Sequence, residues 1–187
     1  MAYRVLILHM GDDWLAGSER SLLDLLAACH DRVTAHIVAN SSALLVAAGK
    51  MGVAGTHCDL AVVSQYSRPS WDFRGLLRSF APVIRCVRQF RPDLIHANSL
   101  WPNQIAVLAG LYTRVPVVCH IRSPDFRGAR ALALTRWSDA LIGVSDAVSE
   151  PHRRMHGRRP VHVIYDPINM GQLADPQSGI SLTSMFA

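Results

Sequence analysis

Short runs of aliphatic and β-branched residues alternate along this chain with stretches whose apolar positions recur every three or four residues. That alternation predicts strand–helix units feeding a parallel sheet. Residues 4–10 form a continuous apolar run, as expected of a strand covered on both faces, and Gly11-Asp12-Asp13 breaks it. Leu22, Leu25, Leu26 and Cys29 then fall at helical spacing within residues 18–29. Further strands are predicted at 33–39, 55–63 (the weakest), 93–97, 116–121, 140–144 and 161–165. Helices are predicted at 42–50, 74–90, 102–112, 129–137 and 146–156. In the longest, Leu77, Phe80, Ile84 and Val87 draw one apolar stripe, and Pro82 predicts a kink or a split into two helices. The pattern as a whole predicts a doubly wound, mostly parallel Rossmann-like α/β sheet of about seven strands. Residues 1–169 read as one domain and 170–187, which lack periodicity, as an irregular tail.

Composition narrows the function classes. The chain has 187 residues, half of them hydrophobic and 18% charged, enough for one well-buried core but short for two domains. No apolar run approaches the roughly 18 residues of a membrane span, and the first run is too short for a signal-peptide core, so a cytoplasmic location is expected. Cys29, Cys58, Cys86 and Cys119 lie far apart without a Cys-x-x-Cys pair and read as reduced core thiols. The net charge of +5 is carried by arginine, with Lys50 the only lysine. That excess is not read as a nucleic-acid site, although an anionic surface or substrate fits it.

Ligands of open α/β sheets bind beyond the carboxyl ends of the strands. Five such ends carry polar groups: His9 with the loop to Gly17, Asn40, His96 with Asn98 and Ser99, His120 with Arg122 and Ser123, and Ser145. Together they predict one crevice. Asn98 and Ser145 also suit helix capping, and for Ser145 capping is the favoured reading. His120 and Arg122, two bulky polar groups directly after a buried strand, call for a partner or an opening. Gly17 stands at the mouth of a helix, where backbone N–H groups can approach a phosphate. The loop has neither the G-x-G-x-x-G spacing of a dinucleotide site nor a Gly-Lys-Ser/Thr phosphate loop.

Five segments, in order, resemble family 4 glycosyltransferases. Ala16-Gly17-Ser18-Glu19-Arg20 is similar to that family's Gly-Gly-Ala-Glu-Arg stretch. Arg91-Pro92-Asp93-Leu94-Ile95-His96 resembles its RPD–strand–His segment, and Val115-Pro116-Val117-Val118-Cys119-His120 its VPVV–His strand. Ser138-Asp139-Ala140 through Ser145, and Val163-Ile164-Tyr165-Asp166-Pro167-Ile168-Asn169, match two more. Ala16 departs from the family's first glycine, and Asp166 stands where asparagine is usual. The resemblance implies one half of a GT-B architecture, in which two Rossmann-like domains face each other across a cleft. This half would shape the acceptor site, while the other grips the nucleotide sugar with a pair of glutamates seven residues apart. Glu19 and Glu150 are the only glutamates here, so that pair is missing and the donor-binding domain is expected to be absent.

The implied activity is that of a retaining, hexosyltransferase-type enzyme, inactive alone, moving a sugar from a nucleotide sugar to a glycan or lipid-linked acceptor. A separate donor-binding domain would complete it. His120 would contact the transferring sugar; Gly17 and Ser18 would approach the donor diphosphate; Arg122 would hold an anionic acceptor or phosphate. His96, Asn98 and Ser145 complete the expected substrate-binding set, with His96 also open to a structural reading. No catalytic base, cofactor or metal is expected; His152 and His156 have helical metal-pair spacing but no third ligand. Arg74, Arg78, Arg85 and Arg88 fall near one another on the long helix. They suit peripheral contact with the inner face of a membrane, although a solvated face is favoured. Arg153, Arg154, Arg158 and Arg159 are accounted for by their place late in the last helix. Two other readings stand: a non-catalytic module for an anionic glycan or lipid headgroup, and another GT-B enzyme such as a sugar-nucleotide epimerase.

Overall fold

The computed structural model describes residues 2–60, 73–123, 135–156 and 159–166. Among them are seven strands, β1 (Tyr3–His9), β2 (Val33–Ala39), β3 (Ala54–His57), β4 (Leu94–Ala97), β5 (Val117–Ile121), β6 (Ala140–Gly143) and β7 (Val161–Val163). Five helices alternate with them: α1 (Gly17–Ala28), α2 (Ser42–Lys50), α3 (Phe73–Phe90), α4 (Leu100–Thr113) and α5 (Asp146–His156). All strand pairings are parallel, in the order β3-β2-β1-β4-β5-β6-β7. The order reverses between β1 and β4, the switch point where doubly wound sheets open a crevice.

Alternate residues of the strands face opposite layers. Val5, Ile7, Ile37 and Ala39 pack under Leu22 and Leu26 of α1 and Leu44 and Ala48 of α2. Leu6, Leu8, Val38, Ile95, Ala97 and Val117 pack under α3 and α4. Val148 of α5 joins Cys119, Ile121 and Leu141 further along that second face. Two aspartates from the resembling segments start strands at the opposite edge from the crevice. Asp93 accepts from Arg4 N and Asp139 from Val117 N, each at 2.8 Å, and each returns its own N–H to that same residue's carbonyl. Those carboxylates satisfy backbone donors at the starts of β1 and β5, so their part is structural.

Three expectations change. The third strand is shorter, ending at His57, after which Cys58 and Leu60 turn into the core. Helix α3 runs as one element through Pro82, held to the sheet by buried Val83, Ile84, Cys86 and Val87. Its buried stripe centres on Val83 and Val87 with Leu76 and Phe80; Leu77, about a quarter-turn away at 100° per residue, is 69% exposed. All four cysteines are free thiols, and burial pushes those of Cys58 and Cys119 up. Residues 61–63 of the third predicted strand, most of the helix at 129–137, and the tail lie outside the described residues. Among the described residues no helix is long and apolar enough to cross a membrane.

Candidate functional site

Register brings three histidines onto one face of the sheet. Ile7 pairs with His96 and His96 with Val118, so His9, His96 and His120 point toward the α1 side. Asn98 and Arg122 continue that alternation just past the strand ends. All three histidines and Asn98 are buried. The rings of His96 and His120 stack, centroids 5.6 Å apart and planes 23° from parallel.

The hydrogen bonds of this cluster have a forced direction. Arginine can only donate, so the Asn98 atom 3.1 Å from Arg122 Nε is the amide oxygen. The Asn98 amide nitrogen therefore faces His9 Nδ1 at 3.0 Å, which must accept. The His9 proton then sits on Nε2 and donates to Glu19 Oε1 at 2.7 Å. Burial pushes the His9 pKa down against the pull of Glu19, which agrees with a neutral ring. Burial alone would raise the Glu19 carboxyl, but hydrogen bonds from Ser18 and His9 outweigh it and hold the pKa low. Glu19 Oε2 also accepts from Ala16 N at 3.1 Å and Ser18 Oγ at 2.8 Å. This is the glutamate half of a capping box; Ala16 has no side-chain oxygen to supply the other half. A side chain at Gly11 would collide with both Glu19 and His9, so that position requires glycine. Asn40 closes the loop, accepting from Gly11 N at 3.1 Å and donating to Gly11 O at 3.0 Å.

Arg122 is less available than its sequence position suggested. Its Nη1 donates to both oxygens of Asp166, at 2.8 and 3.0 Å, and to Ser21 Oγ at 3.1 Å. Ser21 Oγ in turn donates to Asp166 Oδ1 at 2.6 Å. Burial lowers the guanidinium pKa, and Asp166 opposes that shift. The fork expected to meet an anion already holds one. Arg122 Nη2 lies 3.4 Å from His120 Nδ1, which must accept, and this places the His120 proton on Nε2. His120 Nε2 and His96 Nε2 are buried with no hydrogen-bond partner among the described residues. Burial, reinforced by the Arg122 charge and for His96 by His120, pushes both rings down to about 3. Both are neutral imidazoles at physiological pH, and His120 presents an N–H without an acceptor. Buried polar atoms left in this way usually await a ligand or water.

Gly17 opens α1 and is exposed; a side chain there would touch no protein atom within 4 Å, so the chain's own packing does not demand glycine. The Ser18 hydroxyl is committed to Glu19. Ser145 Oγ accepts from Val148 N at 3.3 Å, the capping role. No described hydrogen bond joins it to the cluster. Of the expected residues, the fold thus gathers His96, Asn98, His120 and Arg122, ties Ser18 to them through Glu19, and leaves Ser145 at a helix cap. His152 Nδ1 lies 3.4 Å from Thr135 Oγ1, and the His156 side chain is outside the described residues. Sequence reasoning named His9 and Asn40 only as strand ends and gave Glu19, Ser21 and Asp166 no site role. One available signal was the i, i+2 spacing of His96 with Asn98 and of His120 with Arg122, which puts all four on one sheet face.

Comparison with known proteins agrees with this geometry. The profile of Glycosyltransferase Family 4 matches residues 15–172. No curated protein sequence matches. Among solved structures, Anabaena Alr3699/HepE in complex with UDP-glucose is 20% identical, with a TM-score of 0.68 over 90% of this chain and 45% of that one. Acinetobacter baumannii MurG is 11% identical, with a TM-score of 0.63 over 89% of this chain and 46% of that one. A sucrose-phosphate synthase chain from Thermosynechococcus elongatus is 14% identical, with a TM-score of 0.58 over 98% of this chain and 99% of that one. The chain spans about half the length of the first two. With a profile match over most of its length and the half-length GT-B fold, the chain belongs to Glycosyltransferase Family 4.

Proposed function

We propose that this chain forms the acceptor-side wall of a retaining glycosyltransferase that moves a sugar from a nucleotide sugar to a glycan or lipid-linked acceptor. The observation that carries the reading is the stacked pair of neutral, buried histidines whose Nε2 atoms have no described partner at the sheet's switch-point edge. Sugars are dense in hydroxyl groups and fit such uncharged hydrogen-bonding sites. His120 Nε2–H donates to a hydroxyl oxygen of the transferring sugar and fixes its orientation. A ring whose pKa is near 3 is a poor proton acceptor at neutral pH, so His120 positions rather than deprotonates. Exposed Gly17 leaves the mouth of α1 clear for the donor diphosphate. The nucleotide sugar is held mainly by a second domain; the HepE structure, of which this chain spans 45%, is a complex with UDP-glucose.

The outer surface of α3 and α4 suits a lipid-linked acceptor. Arg74, Arg78, Arg85 and Arg88 are exposed on α3 beside exposed Leu77, and α4 adds exposed Leu108, Leu111 and Tyr112. Neither helix contains an acidic residue, a composition that favours an anionic lipid surface.

Catalysis in a two-domain cleft needs groups from both walls in register around the transition state. The chain alone is therefore expected to transfer no sugar. A transferase assay with UDP-glucose and other nucleotide sugars, with and without a separately expressed C-terminal family 4 domain, tests this. Activity restored by the second domain and lost in His120→Ala is the expected result. Turnover by the isolated chain overturns the half-enzyme reading, and ligand binding without turnover in either arm favours a binding module.

A further inference from the structure

Among the described residues, the charged groups at this edge of the sheet do not add up to an anion site. Arg122 is the buried cation of the cluster, its side chain 9% exposed, and Asp166 pairs with it. Glu19 adds a second carboxylate, this one buried, while Asp166 is itself exposed, and Asp12 and Asp13 lie in the adjoining loop. An arginine has five N–H groups. Nε is committed to Asn98, both Nη1 hydrogens to Asp166 and Ser21, and one on Nη2 to His120 Nδ1. One N–H is left, beside a carboxylate that repels any incoming negative charge. The three partners of Arg122 Nη1 come from two directions, Ser21 on α1 and Asp166 beyond β7, so the pairing also fastens the last described segment across the crevice wall.

We propose that Asp166 is a specificity-determining residue of this crevice. By accepting from Arg122 Nη1 through both of its oxygens, it neutralises the guanidinium and withdraws it from ligands. The part of the wall formed by Arg122, apart from the exposed mouth of α1 at Gly17, therefore discriminates against phosphate- or carboxylate-bearing groups and leaves His96 and His120 to an uncharged, hydroxyl-bearing one. This deepens the acceptor-side reading by naming the class of group admitted, and it rests on the crevice being the ligand site. It does not rest on sugar transfer, so an anion titration separates its failure from that of the proposed activity.

Asp166→Asn is the informative change, because the amide oxygen still accepts from Arg122 or Ser21 while the charge is gone. Inorganic pyrophosphate is titrated into the wild type, Asp166→Asn and the Asp166→Asn/Arg122→Gln double variant at constant ionic strength, with binding read by calorimetry. The wild type is expected to bind pyrophosphate at least about tenfold more weakly than Asp166→Asn, and the double variant to lose the gain. A folded Asp166→Asn protein with wild-type affinity overturns the proposal. A second measurement needs only the wild type and Arg122→Gln. Thermal stabilisation of the wild type by pyrophosphate that disappears in Arg122→Gln shows a free guanidinium and likewise overturns it. Equal, negligible stabilisation of both supports the neutralised pair.

Discussion

The two faces of one sheet have opposite chemistry, although the same strands supply both. Toward α3 and α4, strands β1, β4 and β5 present Leu6, Leu8, Ile95, Ala97, Val117, Cys119 and Ile121, aliphatic or thiol throughout and buried. Toward α1 they begin as core, with Val5 and Ile7, and end as His9, His96 and His120, followed by Asn98 and Arg122. One face is closed by packing. The other is closed at its amino end and left with polar atoms lacking partners at its carboxyl end. Burying such atoms costs stability, which a fold tolerates where a ligand is to be met. The difference narrows the candidate site to one face of three strands, more than the strand ends alone do.

Core substitutions give the sharpest contrast between the faces. Ile95→Ala, at a fully buried position on the aliphatic face, is expected to lose about 3 kcal/mol of unfolding free energy. Its neighbour in sequence points the other way: His96→Leu, like His120→Leu, should leave stability within about 1 kcal/mol of wild type, since each removes a buried nitrogen without a described partner. Urea unfolding of the three variants decides the matter. A loss of several kcal/mol in both histidine variants would make the polar face ordinary core and break the comparison.

A smaller effect is expected within the polar face. Glu19→Gln replaces a carboxylate that accepts from His9, Ser18 and Ala16 with an amide that can face only some of them correctly. Its expected cost is about 2 kcal/mol. In a double-mutant cycle with His9→Asn, coupling of about 1 kcal/mol or more marks the directed chain; additivity would show that the two residues act separately.

The remaining effect is a slope in pH. His9, His36, His96 and His120 all have pKa values pushed down by burial, His96 and His120 to about 3. The unfolded chain takes up protons on these rings as pH falls through about 6.5, while the folded rings refuse them. Stability is thus greatest above pH 6.5 and falls as pH drops toward 3, by about 2 kcal/mol per pH unit between pH 6 and 5 from His96 and His120 together. His96→Leu should flatten the slope. A stability independent of pH over that interval would mean the histidines protonate in place.

Periodicity and strand-like composition were enough to determine the number and order of the strands and of the described helices, because continuous apolar runs and helical spacing report burial directly. They also pointed to the carboxyl ends of the strands and brought His96, Asn98, His120 and Arg122 forward as candidates. The length of β3, the continuity of α3 through Pro82 and the rotation of its buried stripe away from Leu77 depended on neighbours from other parts of the chain. So did the state of each site residue. That Arg122 is paired depends on Asp166, 44 positions away, and on Ser21, 101 positions away. That His9 carries its proton on Nε2 depends on Asn98, 89 positions beyond it. Residue type and spacing set which groups reach one face, since side-chain direction in a strand is local. Which of those groups remain free is decided by hydrogen bonds between distant segments, and only the tertiary structure brings those segments together.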